Sequence, residues 1–300
     1  MKRVRTLYET SCSDILKLRN AALQSPSLKY DSIESYNAAV QSLESAHGRT
    51  WCNQRALVEM PYDFRFSVVM PVYNEAQTIA EMMNRVCDVD LPMELIVVDD
   101  GSTDGTREEI ELAAKQDRFK RENAFGQIGF KMHFHEKNQG KGAALKTGFG
   151  LAEGDVIGIQ DADQEYNPQE FAALLATILS EEADVVYGSR FAKGYQAGSP
   201  LWHRFGNGLI TACSNLKTGL NVSDAETCYK LMRKPVLDRI LSGLQEKRFG
   251  VELEMTAKLA RLEEVRFDER PISYDKRTYA EGKKIGVKDG FRALWCVLKY

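Results

Sequence analysis

Short apolar runs recur through the middle of this chain, and each ends abruptly in a polar cluster. The runs are Phe64–Tyr73, Leu95–Val98, Lys131–His135, Val156–Gln160 and Asp184–Gly188. Near-continuous hydrophobicity over such lengths fits strands buried on both faces. Helical segments are expected between them. One covers Ala76–Val86, and one runs through Ala114, with Thr103 or Asp104 as its cap. Another starts near Ala143, and a fourth runs from Asn167-Pro168 to Leu179 with proline in its first turn. Alternating strands and helices predict an α/β fold, a mainly parallel sheet with helices on both faces.

The flanks read differently. Residues 1–62 carry two amphipathic patterns, near Ser13–Leu23 and Ser32–Ser45, separated by Ser25 and Pro26. They hold no catalytic motif. An N-terminal helical extension docked on a domain spanning 63–300 is the plainer expectation, and a partner-binding arm is the sharper one. Beyond about Pro200 the chain is more helical. Phe249–Arg261 has apolar residues at helical spacing, and a further strand is expected over Val265–Tyr274. Neither a linker-like stretch nor a repeat divides this zone from the rest.

Composition narrows the function classes. The 300 residues are 43% hydrophobic and 28% charged, with net charge −3, so a sizeable core is affordable and bulk attraction to nucleic acid is not expected. The six cysteines are scattered without a CxxC pair, which reads as reduced, buried thiols and points to the cytoplasm. The basic N-terminus MKRVRTLYETSCSD lacks a following apolar stretch, so no secretory signal is expected. No window approaches the roughly 20 apolar residues of a spanning helix. Any membrane role is therefore expected to be peripheral.

In open parallel sheets, ligands bind beyond the carboxyl ends of the strands. The polar clusters fall there: Asn74-Glu75, Asp99-Asp100, and Asp161 with Asp163. Carboxylates gathered on one edge repel one another, and a divalent cation such as Mg²⁺ or Mn²⁺ relieves that repulsion. If Asp161-x-Asp163-x-Glu165 is extended, alternation turns all three carboxylates toward one ion. Standing alone, such a motif is more often a solvated acidic turn. Its place after a buried strand favours the metal reading. Asn138–Gly142 (NQGKG) matches no nucleotide-triphosphate loop, and its glycines can simply permit a tight turn before a helix. Lys141 in it is a candidate donor contact. His133-x-His135 lacks a third metal ligand nearby. Arg277 and Lys283 lie in a glycine-bearing polar stretch, which is either a solvated basic loop or a flap whose cations meet phosphates.

In order and spacing these motifs resemble the family 2 glycosyltransferases of the GT-A fold, and within them the dolichol-phosphate mannose synthase-like branch. The resemblance spans about Phe64 to Tyr300. It rests on PVYNE (71–75), VVDDGSTDGT (97–106), NQGKG (138–142), DAD (161–163), YGSRF (187–191) and RTYAEGK (277–283). It implies that Pro71, Tyr73 and Glu75 line a nucleotide pocket and that Val98 and Asp100 contact base or ribose. It implies that the Asp161-Ala162-Asp163 stretch meets the donor, with Asp161 and Asp163 holding metal and diphosphate. Glu165, a third candidate ligand, stands where mannose synthases of this group carry Gln. Arg190, Arg277 and Lys283 match cations that meet the donor diphosphate or a lipid phosphate, and Arg204 matches an acceptor-phosphate contact.

The expected reaction is inverting transfer from a GDP- or UDP-linked sugar. A phosphate acceptor is already anionic and needs cations, which Arg204, Arg277 and Lys283 offer. A hydroxyl acceptor needs a general base, for which Asp224 and Glu226 are the candidates. The expectation is a polyprenyl-phosphate glycosyltransferase, peripheral at the inner membrane face. The alternative is a soluble relative acting on a hydroxyl, and a non-catalytic nucleotide-sugar binder is the reading outside enzymes. Without a donor, the 277–286 loop is expected to be poorly ordered or displaced from the DAD edge.

Overall fold

The computed structural model describes residues 11–23, 30–115, 122–123, 125–192, 201–277 and 287–300. Three helices come first, α1 (Cys12–Leu23), α2 (Ile33–His47) and α3 (Arg49–Asn53). The first α/β stretch is β1 (Phe66–Val72), α4 (Ile79–Cys87), β2 (Met93–Asp99) and α5 (Thr106–Ala114). A small ribbon of β3 (Glu122–Asn123) and β4 (Gly126–Gln127) leads to β5 (Gly129–Phe134), α6 (Lys141–Leu151) and β6 (Val156–Ile159). A 3₁₀ turn at Pro168–Glu170 opens α7 (Phe171–Leu179), followed by β7 (Val185–Ser189) and α8 (Leu201–Thr218). The chain closes with β8 (Lys230–Arg233), α9 (Lys234–Leu241), α10 (Val251–Ala260), β9 (Phe267–Pro271) and α11 (Val287–Lys299).

The seven-stranded sheet has the order β5-β2-β1-β6-β8-β7-β9. All neighbours run parallel except β8, which is antiparallel to both β6 and β7. This bears out the α/β expectation. Strands β1, β2 and β6 are buried along their whole length, as their apolar runs require. Because β1 pairs with β2 on one side and β6 on the other, the chain reverses its direction of winding at β1. That switch point opens a crevice at the strands' carboxyl ends.

Strand β8 was not legible in the sequence. It is four residues long, begins with Lys230 and ends with Arg233. Lys230 is nevertheless fully buried. Its ammonium donates to the carbonyls of Ala225 (2.9 Å) and Thr227 (2.8 Å) and lies 4.1 Å from the Tyr187 ring centre. Burial pulls its pKa down to about 8.

The first three helices share the core of the sheet domain. Cys12, Ile15, Tyr36, Val40, Cys52 and Leu57 belong to the same buried cluster as Val68 and Leu174. Ser32 caps α2, and its hydroxyl accepts from the Ser35 N–H. The Asn37 amide donates to the Met60 carbonyl (2.7 Å) and accepts from the Met60 N–H (2.9 Å), tying α2 to the chain that enters β1.

Candidate active site

The loops after β1 and β2 fold as one unit. The Asn74 and Glu75 N–H groups donate to the hydroxyls of Ser102 and Thr106, both at 2.8 Å, and the Asn74 amide oxygen accepts from the Thr103 N–H at 2.9 Å. Asp99 accepts the Ser102 hydroxyl. Asp104 accepts N–H bonds from Ala76 (3.2 Å) and Thr106 (3.1 Å). Thus PVYNE and DDGSTDGT are two halves of one hydrogen-bonded platform. Gly101 sits at φ +73, and a Cβ there would lie 2.6 Å from the Lys137 carbonyl carbon, so only glycine fits.

Asp100 organises the next loop. Its carboxylate accepts the N–H of Gln139 (3.0 Å) and of Gly140 (2.6 Å), and lies 2.7 Å from His135 Nδ1. The other ring nitrogen of His135 is 3.0 Å from the Thr147 hydroxyl. Both nitrogens are therefore spent on orientation, and His135 has none left for a metal. Gly140, at φ +101, starts α6 against the Lys247 backbone, the tight-turn role expected of NQGKG.

The DAD edge departs from the extended geometry that the sequence reading assumed. Residues after β6 form a turn with Gln164 at φ +61, so Asp163 and Glu165 do not alternate along a strand. Asp161 is clasped by the Lys141 ammonium at 2.7 Å, and Lys141 also reaches Glu252 at 2.8 Å. Burial opposes the charge of Lys141, but its neighbours together, Asp161 first and Glu252 among them, outweigh burial and hold its pKa well up. Glu165 is turned toward the segment after β9, accepting from the Tyr274 hydroxyl (2.7 Å) and the Arg277 N–H (2.8 Å). Asp163 lies between these groups. Burial, then the Asp161 and Glu165 charges, push its carboxyl up to about 7. Among the described residues, no three Asp, Glu, His or Cys side chains converge as a ready metal cage.

Arg277 lies across the site. Its guanidinium donates twice to Glu75, both bonds at 2.9 Å, and stands 3.4 Å from Asp163. At this residue the loop does not stand displaced from the DAD edge, because the bidentate fit to Glu75 holds it there; residues 278–286 of that loop lie outside the described residues. Lys283 lies outside the described residues. The backbone of Arg204 is in the first turn of α8, and its side chain is outside what is described.

The other sequence-chosen residues divide by exposure. Tyr73 has over a third of its surface exposed. Ala162 is buried beside the two aspartates. Pro71 and Val98 are register partners inside the sheet, and Val98 has no exposed surface to offer a ligand.

A scan of family models matches residues 67–241 to "Glycosyl transferase family 2". The chain belongs to glycosyl transferase family 2. The undecaprenyl-phosphate mannosyltransferase of Micrococcus luteus is 30% identical over 227 residues, 74% of this chain and 88% of that protein. The undecaprenyl-phosphate 4-deoxy-4-formamido-L-arabinose transferase of Pseudomonas savastanoi pv. phaseolicola is 29% identical over 194 residues. The chain spans about half the length of that relative, 53%. Among solved structures, glucosyl-3-phosphoglycerate synthase of Mycobacterium tuberculosis, in complex with Mn²⁺, UDP and glucosyl-3-phosphoglycerate, matches 99% of this chain and 86% of its own. The TM-score is 0.55 at 16% identity. A second complex of that synthase gives 0.58 at 18% identity, over 91% of this chain and 86% of its own. At such identities the likeness shows the fold, which is GT-A.

In this family 2 chain a second polar cluster stands beyond β7. Arg190 donates to both oxygens of Asp224, at 2.7 and 2.9 Å, and its guanidinium lies 5.3 Å from the Tyr274 ring centre. Asp224 is fully buried, and this fork occupies the carboxylate that the sequence offered as a base. Glu226 is freer. It accepts from the Asn207 amide of α8 at 3.2 Å, and burial pushes its carboxyl up to about 7.

Sequence reasoning missed Glu252, Tyr274, Asn207 and His135 as parts of the site. Glu252 and Glu254 had a readable signal, since they interrupt a helix whose other positions are largely apolar and buried. Tyr274 and Asn207 had none, because a single Tyr or Asn carries no spacing to read.

Proposed function

We propose that this glycosyltransferase moves a sugar from a nucleoside-diphosphate sugar, GDP- or UDP-linked, to a polyprenyl phosphate at the inner membrane face. The observation that carries the reading is the alternation of acid and cation across one crevice: Glu75–Arg277–Asp163 and Asp161–Lys141–Glu252. The names of the Micrococcus and Pseudomonas relatives, both undecaprenyl-phosphate transferases, support the acceptor. Residues 1–62 serve in this reading as a helical extension completing the core of the 63–300 domain.

The donor set fits a divalent cation at Asp161 and Asp163. Burial first, and then the neighbouring Asp161 and Glu165 charges, lift the Asp163 carboxyl; a cation between Asp161 and Asp163 would relieve that repulsion, and hard oxygen ligands suit Mg²⁺ or Mn²⁺. Glu165 is the weaker third ligand, since it already holds Tyr274 and Arg277. When bound, the cation would neutralise the donor diphosphate.

The remaining roles fall to the chain. Asp100 and His135 fix the loop that carries Lys141, and Lys141 holds Asp161 in place. Arg277 is positioned by Glu75 to meet the negative charge that grows on the departing nucleotide. A phosphate acceptor is already ionised and asks only for cations, a role for Arg190, Arg204 and Lys283. The test is sugar transfer from labelled GDP- and UDP-sugars to polyprenyl phosphate, with Mn²⁺ or Mg²⁺ and with EDTA. Transfer that EDTA abolishes is expected. Metal-independent transfer would remove the cation from the reading.

One observation favours a hydroxyl acceptor as the second reading. The Glu226 carboxyl, lifted to about 7, is poised to accept a proton near neutrality. Glu226→Gln separates the two. It would abolish transfer to a hydroxyl and leave transfer to a phosphate nearly intact.

A further inference from the structure

Residues 273–277 follow β9 and run back across the turn that carries Asp161 and Asp163. Glu165, on that turn, takes several of their donors. Its carbonyl accepts the Asp275 N–H at 2.8 Å, and its carboxylate accepts the Tyr274 hydroxyl at 2.7 Å and the Arg277 N–H at 2.8 Å. The start of the segment is held by a different acid. The Ser273 N–H donates to Glu170, at 3.0 and 3.1 Å from its two carboxylate oxygens. Glu170 is the last residue of the 3₁₀ turn that opens α7.

Glu170 has no exposed surface, which is rare for a glutamate. The N-terminal helices explain its burial. Helix α1 packs on α7 and on the 3₁₀ turn, and Cys12 at its start is fully buried too. Burial and then the Glu170 charge push the Cys12 thiol well up, so the two side chains share one dry site. Burial also pushes the Glu170 carboxyl up to about 7, against the pull of its bonds to Ser273. Among the described residues, the Glu170 carboxylate bonds only Ser273. An acceptor closed off from water is costly to leave without its donor, so this contact is hard to give up.

We propose that Glu170 is a positioning residue for sugar transfer: by fixing Ser273 it sets the path of residues 273–277, and through them the place of Arg277 between Glu75 and Asp163. The bidentate fit of Arg277 to Glu75 is the end of that path, and such a fit tolerates little displacement. Tyr274, on the way, lies with its ring centre 5.3 Å from that of Tyr166. The segment is thus pinned at its start, its middle and its end. The effect on turnover rests on the role proposed for Arg277, whereas the path of the segment does not.

The test compares Glu170→Ala, Glu170→Gln and Ser273→Pro in the full chain. Alanine removes the acceptor, and glutamine keeps an oxygen for the Ser273 N–H. Proline removes the same hydrogen bond from the other partner, and it carries the test if Glu170→Ala does not fold. The first readout is limited trypsin digestion, which needs no substrate. Cleavage after Lys276 and Arg277 is expected to be at least ~tenfold faster in Glu170→Ala and Ser273→Pro, with Glu170→Gln close to wild type. Equal cleavage rates in the folded variants would overturn the proposal. The second readout is transfer kinetics. In Glu170→Ala, kcat should fall ~10–10²-fold with a small change in donor KM. Glu170→Ala/Arg277→Ala should be no slower than Arg277→Ala alone. Losses that multiply in the double variant would overturn the proposal, because Glu170 would then act by another route. So would a lowered melting temperature with an unchanged kcat, the mark of a purely structural contact. If trypsin finds the segment released but wild type glycosylates no polyprenyl phosphate, the hold of Glu170 on the segment stands and the functional reading falls.

Discussion

The two sides of the crevice hold their carboxyl groups in opposite ways. On the β1–β2 side, carboxylates are spent on backbone N–H groups. Asp100 takes those of Gln139 and Gly140, and Asp104 takes those of Ala76 and Thr106. Burial works against the charge of Asp104, yet these bonds and the Thr106 hydroxyl hold its pKa below the usual range. On the β7–β9 side, burial prevails. Glu226 and Glu269 are both pushed up to about 7, although Glu269 accepts the N–H groups of Ser223 and Asp224. The β1–β2 side is therefore tied down by hydrogen bonds within the fold. The β7–β9 side keeps carboxyls that change charge near neutral pH.

The sharpest way to break this comparison is Arg190→Ala. It leaves the fully buried Asp224 without its fork, and a loss of about 3–5 kcal/mol in denaturant unfolding is expected. A loss below about 1 kcal/mol would mean that water reaches Asp224 and that this side is not dry. Next in size is Arg277→Ala, beside Glu75 and Asp163. Turnover should fall ~10²–10³-fold, with a smaller change in donor affinity, because the charge it meets grows as the nucleotide leaves. Steady-state kinetics that show a raised donor KM and an unchanged kcat would make Arg277 a plain binding residue.

Part of the pH dependence of stability should come from the β7–β9 side. A carboxyl raised from 4.5 to about 7 keeps its proton in the folded chain after the unfolded chain has lost it. The stability it lends is fully present below pH 4.5 and is lost as pH rises to about 7. Glu269 should account for on the order of 1–3 kcal/mol of that decline. Thermal melts of Glu269→Gln should be flatter across this window than those of wild type, and an identical slope would remove Glu269 as its source. The smallest expected effect is His135→Ala, about 1–2 kcal/mol, from the loss of its bonds to Asp100 and Thr147. Its kinetic trace should be a weaker donor KM with nearly normal kcat, and the reverse pattern would place His135 closer to the reaction.

Much of the β1–β2–β6 edge was legible because its signals are local. An apolar run fixes a strand, the strand end fixes where a polar cluster falls, and so PVYNE, DDGSTDGT and DAD could be placed at one edge from the sequence. The register Pro71↔Val98 and the shared edge of Asp100 and Asp161 follow from parallel strands of similar length. The direction of each side chain was less legible. Asp161, Asp163 and Glu165 read as one ligand row only if extended, and a left-handed residue at Gln164 turned the row into a bend.

What the sequence determined by itself was therefore the α/β order, the position of the acidic edge and the identity of the cations near it. Tertiary structure alone decided the pairing. Glu75 meets Arg277 across 202 positions and Lys141 meets Glu252 across the sheet domain, contacts with no spacing to read. It also decided that β8, with lysine and arginine at its ends, lies inside the sheet between β6 and β7. Periodicity reports which residues share a face of one element. Partners on different elements are chosen by packing, where a buried charge must find its counter-charge wherever the fold brings one.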